Sequence, residues 1–250
     1  MKRFLSLVLV LIMVMSSVLL VACDNNKDDP ATTTAATTTT AATTESPDPV
    51  KVDKANGKTA RELYEAFEAA FMAAETYDFY ATGKMERNGE MVDEEVIIKI
   101  GTDSMYMKMT DAGELMEIWF VDGVMYQSNG EEKYKMVGAS IDDMFGDGGM
   151  KEFARSILEQ EDKESYLEAM DNAQLYSHKG KYYVSFEYEE KDGDEVETIT
   201  STVYFDAQGN VTKMTEKMEG EEITIEFKSF GKPVTVTAPA NADEFVEMGA

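Results

Sequence analysis

Ser104-Met105-Tyr106-Met107-Lys108-Met109-Thr110, then Asp111-Ala112-Gly113-Glu114, then Leu115-Met116-Glu117-Ile118-Trp119-Phe120, is the stretch that decides the fold. Met105, Met107 and Met109, and after them Met116, Ile118 and Phe120, recur at every second residue. That is the period of a strand, whose successive side chains point to opposite faces. Asp111 to Glu114 is a polar turn between the two runs. If the chain folds back there, Met109 faces Met116, Met107 faces Ile118 and Met105 faces Phe120. The opposite face of the hairpin receives Tyr106, Lys108, Glu117 and Trp119.

The pattern extends in both directions. Upstream, the turn Gly101-Thr102-Asp103-Ser104 sets Ile98 against Met107 and Ile100 against Met105. Asn88-Gly89 suits the positive φ of a two-residue hairpin turn. It sets Met85 against Val92, Ala81 against Val96 and Phe79 against Ile98. Downstream, Asp122-Gly123 places Phe120 opposite Met125, and Asn129-Gly130 places Met125 opposite Tyr134. Each turn is placed independently, yet all put apolar against apolar on one face of one sheet. The other face is mixed: Lys84, Glu86, Asp93, Glu95, Lys99, Lys133 and Lys135 share it with Tyr80, Ile97, Tyr106, Trp119 and Tyr126.

Before this meander, Thr59 and Glu62 have capping-box spacing. Leu63, Phe67, Ala70, Phe71 and Ala74 repeat at three and four residues, which predicts a helix with one apolar stripe. After it, Ser140 to Asn172 reads as helical pieces carrying Ile141, Met144, Phe145, Met150, Phe153, Ile157, Leu158, Tyr166, Leu167 and Met170. Strands resume at Gln174. Lys179-Gly180 turns Leu175 toward Val184, and a turn over residues 191–194 sets Phe186 against Ile199 and Tyr182 against Val203. Val203 then lies near Met214. A Gly220-Glu221 turn sets Met218 against Ile223 and Met214 against Phe227, and Val234 to Thr237 reads as a last strand. All five prolines lie at or before Pro49 or at or after Pro233, as expected for a sheet whose interior tolerates no missing N–H. The expected architecture is α+β: a long antiparallel sheet of about 10–11 strands, curled because so many strands rarely stay open and flat. Helices pack in the concave face of this half-barrel.

The amino-terminal part is different in kind. Met1-Lys2-Arg3 precedes seventeen uncharged residues, Phe4 to Leu20, the layout of a signal peptide over residues 1–22. Leu20-Val21-Ala22-Cys23 resembles the lipobox of bacterial lipoproteins. The resemblance implies cleavage before Cys23 and a diacylglyceryl group on its sulfur, with further acylation (palmitate, for example) of the new amino end in some bacteria. Residues 23–55, polar and then a run of Thr and Ala, read as a disordered stalk, too poor in apolar side chains to fold. Its threonines are potential acceptors for O-linked sugars, though a plain spacer is the simpler reading. Residues 56–250 are one domain by length.

The order of lipobox, stalk, helix, Met-rich meander, helical insert and second meander resembles the LolA/LppX-like half-barrel lipoproteins. More local likenesses run through Ser104–Met109, Tyr204-Phe205-Asp206-Ala207-Gln208-Gly209-Asn210-Val211-Thr212-Lys213-Met214, and Phe230-Gly231-Lys232-Pro233-Val234. These are similar to phrases in small Gram-positive lipoproteins grouped with that fold. The resemblance implies a protein on the outer face of the cell membrane that binds or carries lipid between sheet and helices. It assigns no functional residue.

Composition narrows the function classes. The net charge is −26, and loss of residues 1–22 removes Lys2 and Arg3 and makes it more negative. Such a chain is repelled by nucleic acid and by anionic headgroups, so the acyl groups on Cys23 must hold it to the membrane. With one cysteine and one histidine, His178, neither a disulfide within the chain nor a Cys or His metal cluster is available. No motif of a nucleophile, a metalloprotease or a phosphate loop occurs. Asp142-Asp143 with Asp147, and Asp192 to Glu195, lack calcium-loop spacing. No enzyme and no cofactor is therefore expected. Fifteen of the eighteen methionines lie beyond residue 55, and methionine adapts to irregular shapes. Ile98, Met105, Met107, Met109, Met116, Ile118 and Phe120 are the candidate wall of a pocket for an apolar ligand. The alternative is a cell-envelope interaction or sensor module with a closed core, using Tyr80, Tyr106, Trp119 and Tyr126 to meet another protein.

Overall fold

A capping box starts the first helix, α1 (Ala60–Met72). Thr59 Oγ1 accepts from the Glu62 amide at 3.2 Å, and Glu62 Oε2 accepts from the Thr59 amide at 2.8 Å. This satisfies two N–H groups that a helix start otherwise leaves unpaired. Leu63, Tyr64, Phe67 and Phe71 are buried; Ala70, expected on the stripe, is exposed and Tyr64 takes part in its place. The computed structural model describes residues 48–248 apart from 88–89, 112, 140–151, 153, 156–157, 159–162, 193–194 and 219. Residues 47–250 form one compact unit, and every buried side chain described belongs to it, so this domain carries its own core.

The strands are β1 (Val50–Val52), β2 (Tyr77–Arg87), β3 (Glu90–Ile100), β4 (Met105–Asp111), β5 (Glu114–Val121), β6 (Val124–Ser128), β7 (Lys133–Val137), β8 (Leu175–His178), β9 (Lys181–Asp192), β10 (Glu195–Phe205), β11 (Val211–Met218), β12 (Glu221–Phe230) and β13 (Val246–Glu247). A second helix, α2 (Lys163–Asp171), precedes β8. All thirteen strands form one open, curved sheet in the order β1-β8-β9-β10-β11-β12-β2-β3-β4-β5-β6-β7-β13. The two meanders join where β12 pairs with β2, Phe227 opposite Phe79 and Ile225 opposite Ala81. α1 packs on β11 and α2, and α2 on β9. Phe67 and Phe71 of α1 also meet Phe227 and Phe230 at ring distances of 4.9–5.6 Å. The described helices therefore pack on the apolar face over β9, β11 and β12, the side that the stripe and the alternation predict.

The first meander has the expected register from Phe79 opposite Ile98 through Ile98–Met107, Met107–Ile118, Met105–Phe120 and Phe120–Met125. Three strand pairs differ from the expected register by two residues. Met125 lies opposite Met136, because Asn129-Gly130 belongs to a four-residue loop. Asn129 Oδ1 accepts from the amides of Glu131 and Glu132, at 3.1 and 2.7 Å, and holds the chain open by that amount. Phe186 lies opposite Ser201, Tyr188 opposite Ile199 and Tyr182 opposite Phe205, since β9 and β10 pair as far as Asp192 and Glu195. Met218 lies opposite Glu221 and Met214 opposite Ile225, with Gly220 at φ +94 inside the turn.

The sheet also takes in residues that sequence placed elsewhere. Val50–Val52, inside the expected stalk, pairs with β8, and Ala55 is fully buried, so the domain starts earlier than residue 56. Thr235 to Thr237 form no strand. The chain instead crosses the mixed face and ends as β13, which lies parallel to β7, with Val246 opposite Tyr134. The sheet thus has thirteen strands rather than ten or eleven, and one pairing is parallel. Of the expected helical insert, α2 buries Tyr166, Leu167 and Met170, and Leu158 is buried; Ile141, Met144, Phe145, Met150, Phe153 and Ile157 lie outside the described residues.

Candidate ligand-binding face

Seven candidate residues share one face of three neighbouring strands. Ile98 stands on β3, Met105, Met107 and Met109 on β4, and Met116, Ile118 and Phe120 on β5. Ile98 and Ile118 are 0% exposed, Met105 and Met107 2%, Met109 4% and Phe120 6%. Met116 is half-buried and accepts a weak contact from Gln127 Nε2 at 3.9 Å. Register builds continuous apolar rows across the sheet. One runs Phe227, Phe79, Ile98, Met107, Ile118, and the next runs Ile225, Ala81, Val96, Met109, Met116. Burying each such side chain stabilises by about 1.5–3 kcal/mol, so the face is core as well as candidate wall.

Sequence reasoning missed a polar cluster on the same face. On β11, Met214, Glu216 and Met218 alternate toward the helices, so Glu216, itself half-buried, stands between two buried methionines. Its row is Phe186, Ser201, Glu216, Ile223, Gly83. Tyr188 donates its hydroxyl to Glu216 Oε1 at 3.2 Å, and the Tyr166 hydroxyl lies 3.3 Å from Ser201 Oγ. Tyr64 on α1 faces Tyr166, with rings 5.4 Å apart, and its buried hydroxyl has no partner in hydrogen-bonding geometry. Burial chiefly pushes the Glu216 carboxyl up. The Tyr188 hydrogen bond opposes this, and nearby Glu190 adds to it. Burial, reinforced by the Glu216 charge, also raises the hydroxyls of Tyr64, Tyr166 and Tyr188, so all three remain neutral donors at neutral pH. The signal available in sequence was an acid at a position whose neighbours two residues away are both methionine.

The mixed face is largely closed by the chain's own carboxyl-terminal segment. Phe245 is 4% exposed and sits edge-on to Trp119 and Tyr126, at 6.2 and 5.3 Å. Tyr106 donates to Glu117 at 2.8 Å, and Tyr80 lies under Lys228. The four aromatic side chains expected to be free for a partner are therefore half-buried and engaged. A cleft of about 410 Å³ opens on this face, lined by Thr82, Lys84, Asp93, Glu95, Thr110 and Glu222 among others. Among the described residues, no group of three or more His, Cys, Asp or Glu side chains is arranged to hold a metal. Asp142, Asp143 and Asp147 lie outside those residues.

The Tyr204–Met214 phrase has a structural explanation. Asp206 Oδ1 accepts from the amides of Gln208 and Asn210, both at 2.9 Å, and Oδ2 from Asn210 Nδ2 at 3.0 Å. Gly209, at φ +87, lies beneath α1, where an added Cβ would stand 2.7 Å from a Leu63 methyl. The phrase is a hairpin turn fitted to a helix.

No protein-family model matches the chain, and no curated protein matches it. Among solved structures, the chain is similar to LprF from Mycobacterium bovis, with 14% identity, 72% of this chain and 97% of that chain covered, and a TM-score of 0.40. It is also similar to the lipoprotein LppX from Mycobacterium tuberculosis (8% identity, 71% and 98% covered, TM-score 0.39). A third is a LolA superfamily protein from Nitrosomonas europaea (7% identity, 74% and 96% covered, TM-score 0.24). At these TM-scores the half-barrel assignment stands on the strand order and register, not on the likeness.

Proposed function

We propose that this chain is an extracytoplasmic, membrane-tethered lipoprotein that binds a hydrophobic ligand such as a lipid, without catalysis. One observation carries the reading. The described helices make their main sheet contacts with β9 and β11, whereas the methionine-rich rows lie on β3 to β5. The adaptable part of the apolar face is thus offset from the helices that seal the rest. Methionine is suited to a wall that meets variable hydrocarbon shapes, where Leu, Ile and Val would specify one packing. Cys23 supplies the tether, since two acyl chains anchor stably where one does not. Residues 24–49 are the spacer up to β1. No helix among the described residues is long and apolar enough to cross a membrane.

A second reading is favoured by a different observation. The candidate wall is buried, and the clefts at Thr82–Glu95, at Glu131–Tyr134 and at Thr235–Thr237 do not include Met105, Met107 or Met109. A closed core would make this an envelope interaction or sensor module. Native mass spectrometry of the protein purified from its own host separates the two. A stoichiometric co-purified lipid supports the binder. Protein that emerges empty and leaves fluorescent fatty-acid probes unaltered overturns it in favour of the closed module.

A further inference from the structure

The polar cluster around Glu216 has no part in holding hydrocarbon. Five elements contribute to it: Tyr64 from α1, Tyr166 from α2, Tyr188 from β9, Ser201 from β10 and Glu216 from β11. Burying polar groups in an apolar face costs free energy unless each finds a partner. Two features leave this cluster unfinished. Tyr64 Oη is buried, with the residue 1% exposed, yet has no hydrogen-bond partner. Among the described residues, Glu216 receives one hydrogen bond, from Tyr188, and no lysine or arginine pairs with it. Among the described residues, the charge that also acts on it is that of Glu190, of the same sign. What completes the cluster must donate hydrogen bonds to a carboxylate and accept one from, or donate one to, a phenol. An anion fails on both Coulomb repulsion and donor count.

The geometry points to Glu216, Tyr64, Tyr166, Tyr188 and Ser201 as the seat of the polar end of an amphiphile, a head group that donates hydrogen bonds and carries no negative charge. This rests on the reading of the domain as a binder of apolar ligands and adds the chemistry of the head. The distance to the methionine wall fits. Between β11 and β4 lie β12, β2 and β3, four strand spacings of about 4.8 Å, or roughly 19 Å. An extended hydrocarbon rises about 1.3 Å per carbon, from bond lengths near 1.52 Å. Roughly fourteen carbons therefore span from Glu216 to Met109. A free fatty-acid anion, the usual guess for an apolar trough, would place its carboxylate against Glu216 and is the ligand this site selects against.

The test uses the domain Pro47–Ala250 at pH 7.5 and three chain-matched probes below their micelle concentrations: 1-monomyristoylglycerol, tetradecylammonium and myristate. Calorimetric titration is expected to rank the glyceride and the ammonium at least about tenfold tighter than myristate, a tenfold ratio being about 1.4 kcal/mol. Glu216→Gln keeps an acceptor for Tyr188 and should bring the ratio to within about twofold, chiefly by improving myristate. Tyr64→Phe removes this buried hydroxyl and leaves the Tyr188–Glu216 and Tyr166–Ser201 contacts in place. It should weaken the glyceride several-fold, leave myristate alone and leave thermal stability unchanged or raised. A purely structural cluster predicts no change in binding for Tyr64→Phe. Myristate binding as tightly as the other two, or a ratio untouched by both substitutions, overturns the head-group assignment while the apolar-ligand reading stands. Silence from all three probes overturns both together, and is recognisable because it does not depend on the head group.

Discussion

Phe245→Ala tests whether the carboxyl-terminal segment is a lock on the sheet or a passive tail. The segment leaves β12 at Phe230, and Gly231 N donates to Thr76 O at 2.9 Å. It passes over Gly101, where an added Cβ would come within 2.9 Å of Val234 O. Thr235, Val236 and Thr237 then line a cleft with Lys99, Tyr106 and Trp119. Only Val246 and Glu247 pair with β7, supported by the Met248 amide donating to Lys135 O at 2.9 Å and by an ion pair of Lys133 with Glu244. Two ladder residues and an exposed ion pair are weak attachments, the latter worth at most about 1 kcal/mol. Phe245, edge-on to two rings, must supply most of the docking energy.

Truncating a buried phenylalanine costs about 3–5 kcal/mol, and two edge-to-face contacts lie within that figure. Release of the segment caps the loss at its docking energy, so about 3 kcal/mol is expected. For a domain of this size, 1 kcal/mol moves the midpoint by about 2–4 °C, so the thermal transition should fall by about 6–12 °C. Trp119 is the lone tryptophan and reports locally. Its emission should shift to the red in the variant before any denaturant is added, while far-UV circular dichroism keeps its strand signal. Deletion of residues 240–250 should reproduce both effects, and Lys133→Ala should show little of either. Unaltered Trp119 emission with a midpoint within about 2 °C of the parent would refute the lock.

Two other substitutions probe the fold. Asp206→Asn should weaken the β10–β11 turn by about 1–2 kcal/mol in urea titration, because the amide keeps one acceptor but loses a charge-assisted set of three. Gly209→Ala should cost at least as much, since it combines a positive φ with a clash on Leu63; equal stability of parent and variant would remove the turn's role under α1. Glu216 gives a pH signature. Its carboxyl is raised in the folded state by burial, so the folded domain binds its proton at pH values where the unfolded chain has lost it. That contribution is fully present below the unfolded value of about 4.3 and is lost as pH rises through the folded one. Glu216→Gln mimics the protonated form, so its stability advantage over the parent should be smallest near pH 4 and grow toward pH 7. A difference independent of pH, measured by thermal melts across that range, would show that the folded domain does not raise the Glu216 carboxyl.

The sequence made the faces of the sheet legible but not all of its rows. A strand slipped by one residue exchanges its faces and is betrayed at once by its polar side chains. A slip of two preserves every face, so the alternation of Met125, Phe186 or Met218 is blind to it. Those are the three places where turns misled: Asn129 uses its side chain to widen a loop, β9 and β10 stay paired to Asp192 and Glu195, beyond the start of the expected turn, and the β11–β12 turn lies one residue earlier than Gly220-Glu221 suggests. β13 was hidden for another reason. Its anchor is one phenylalanine on two rings, a contact between residues over a hundred positions apart with no local period. The same blindness hid Glu216. Alternation assigns Met214, Glu216 and Met218 to one face, but a single acid among methionines reads as noise until Tyr64, Tyr166 and Tyr188 arrive from three other elements.

This difference bears on how the domain works. The methionine wall is written in adjacent strands and needs only a hairpin to form, whereas the Glu216 cluster exists only when α1, α2 and the second meander are all in place. Hydrocarbon affinity, if the wall supplies it, is then a local property that survives partial loosening of the helices. Discrimination between head groups is a property of the fully assembled domain, because no hydroxyl in the cluster is positioned by β11 alone. Conditions that loosen α2, such as breaking the Lys163–Glu68 ion pair at 2.6 Å or the Arg61–Asp171 pair at 3.0 Å, should therefore erode selectivity before they erode binding. The opposite order, with affinity lost while the preference among the three fourteen-carbon probes persists, would mean that the helices hold the chain and not the head.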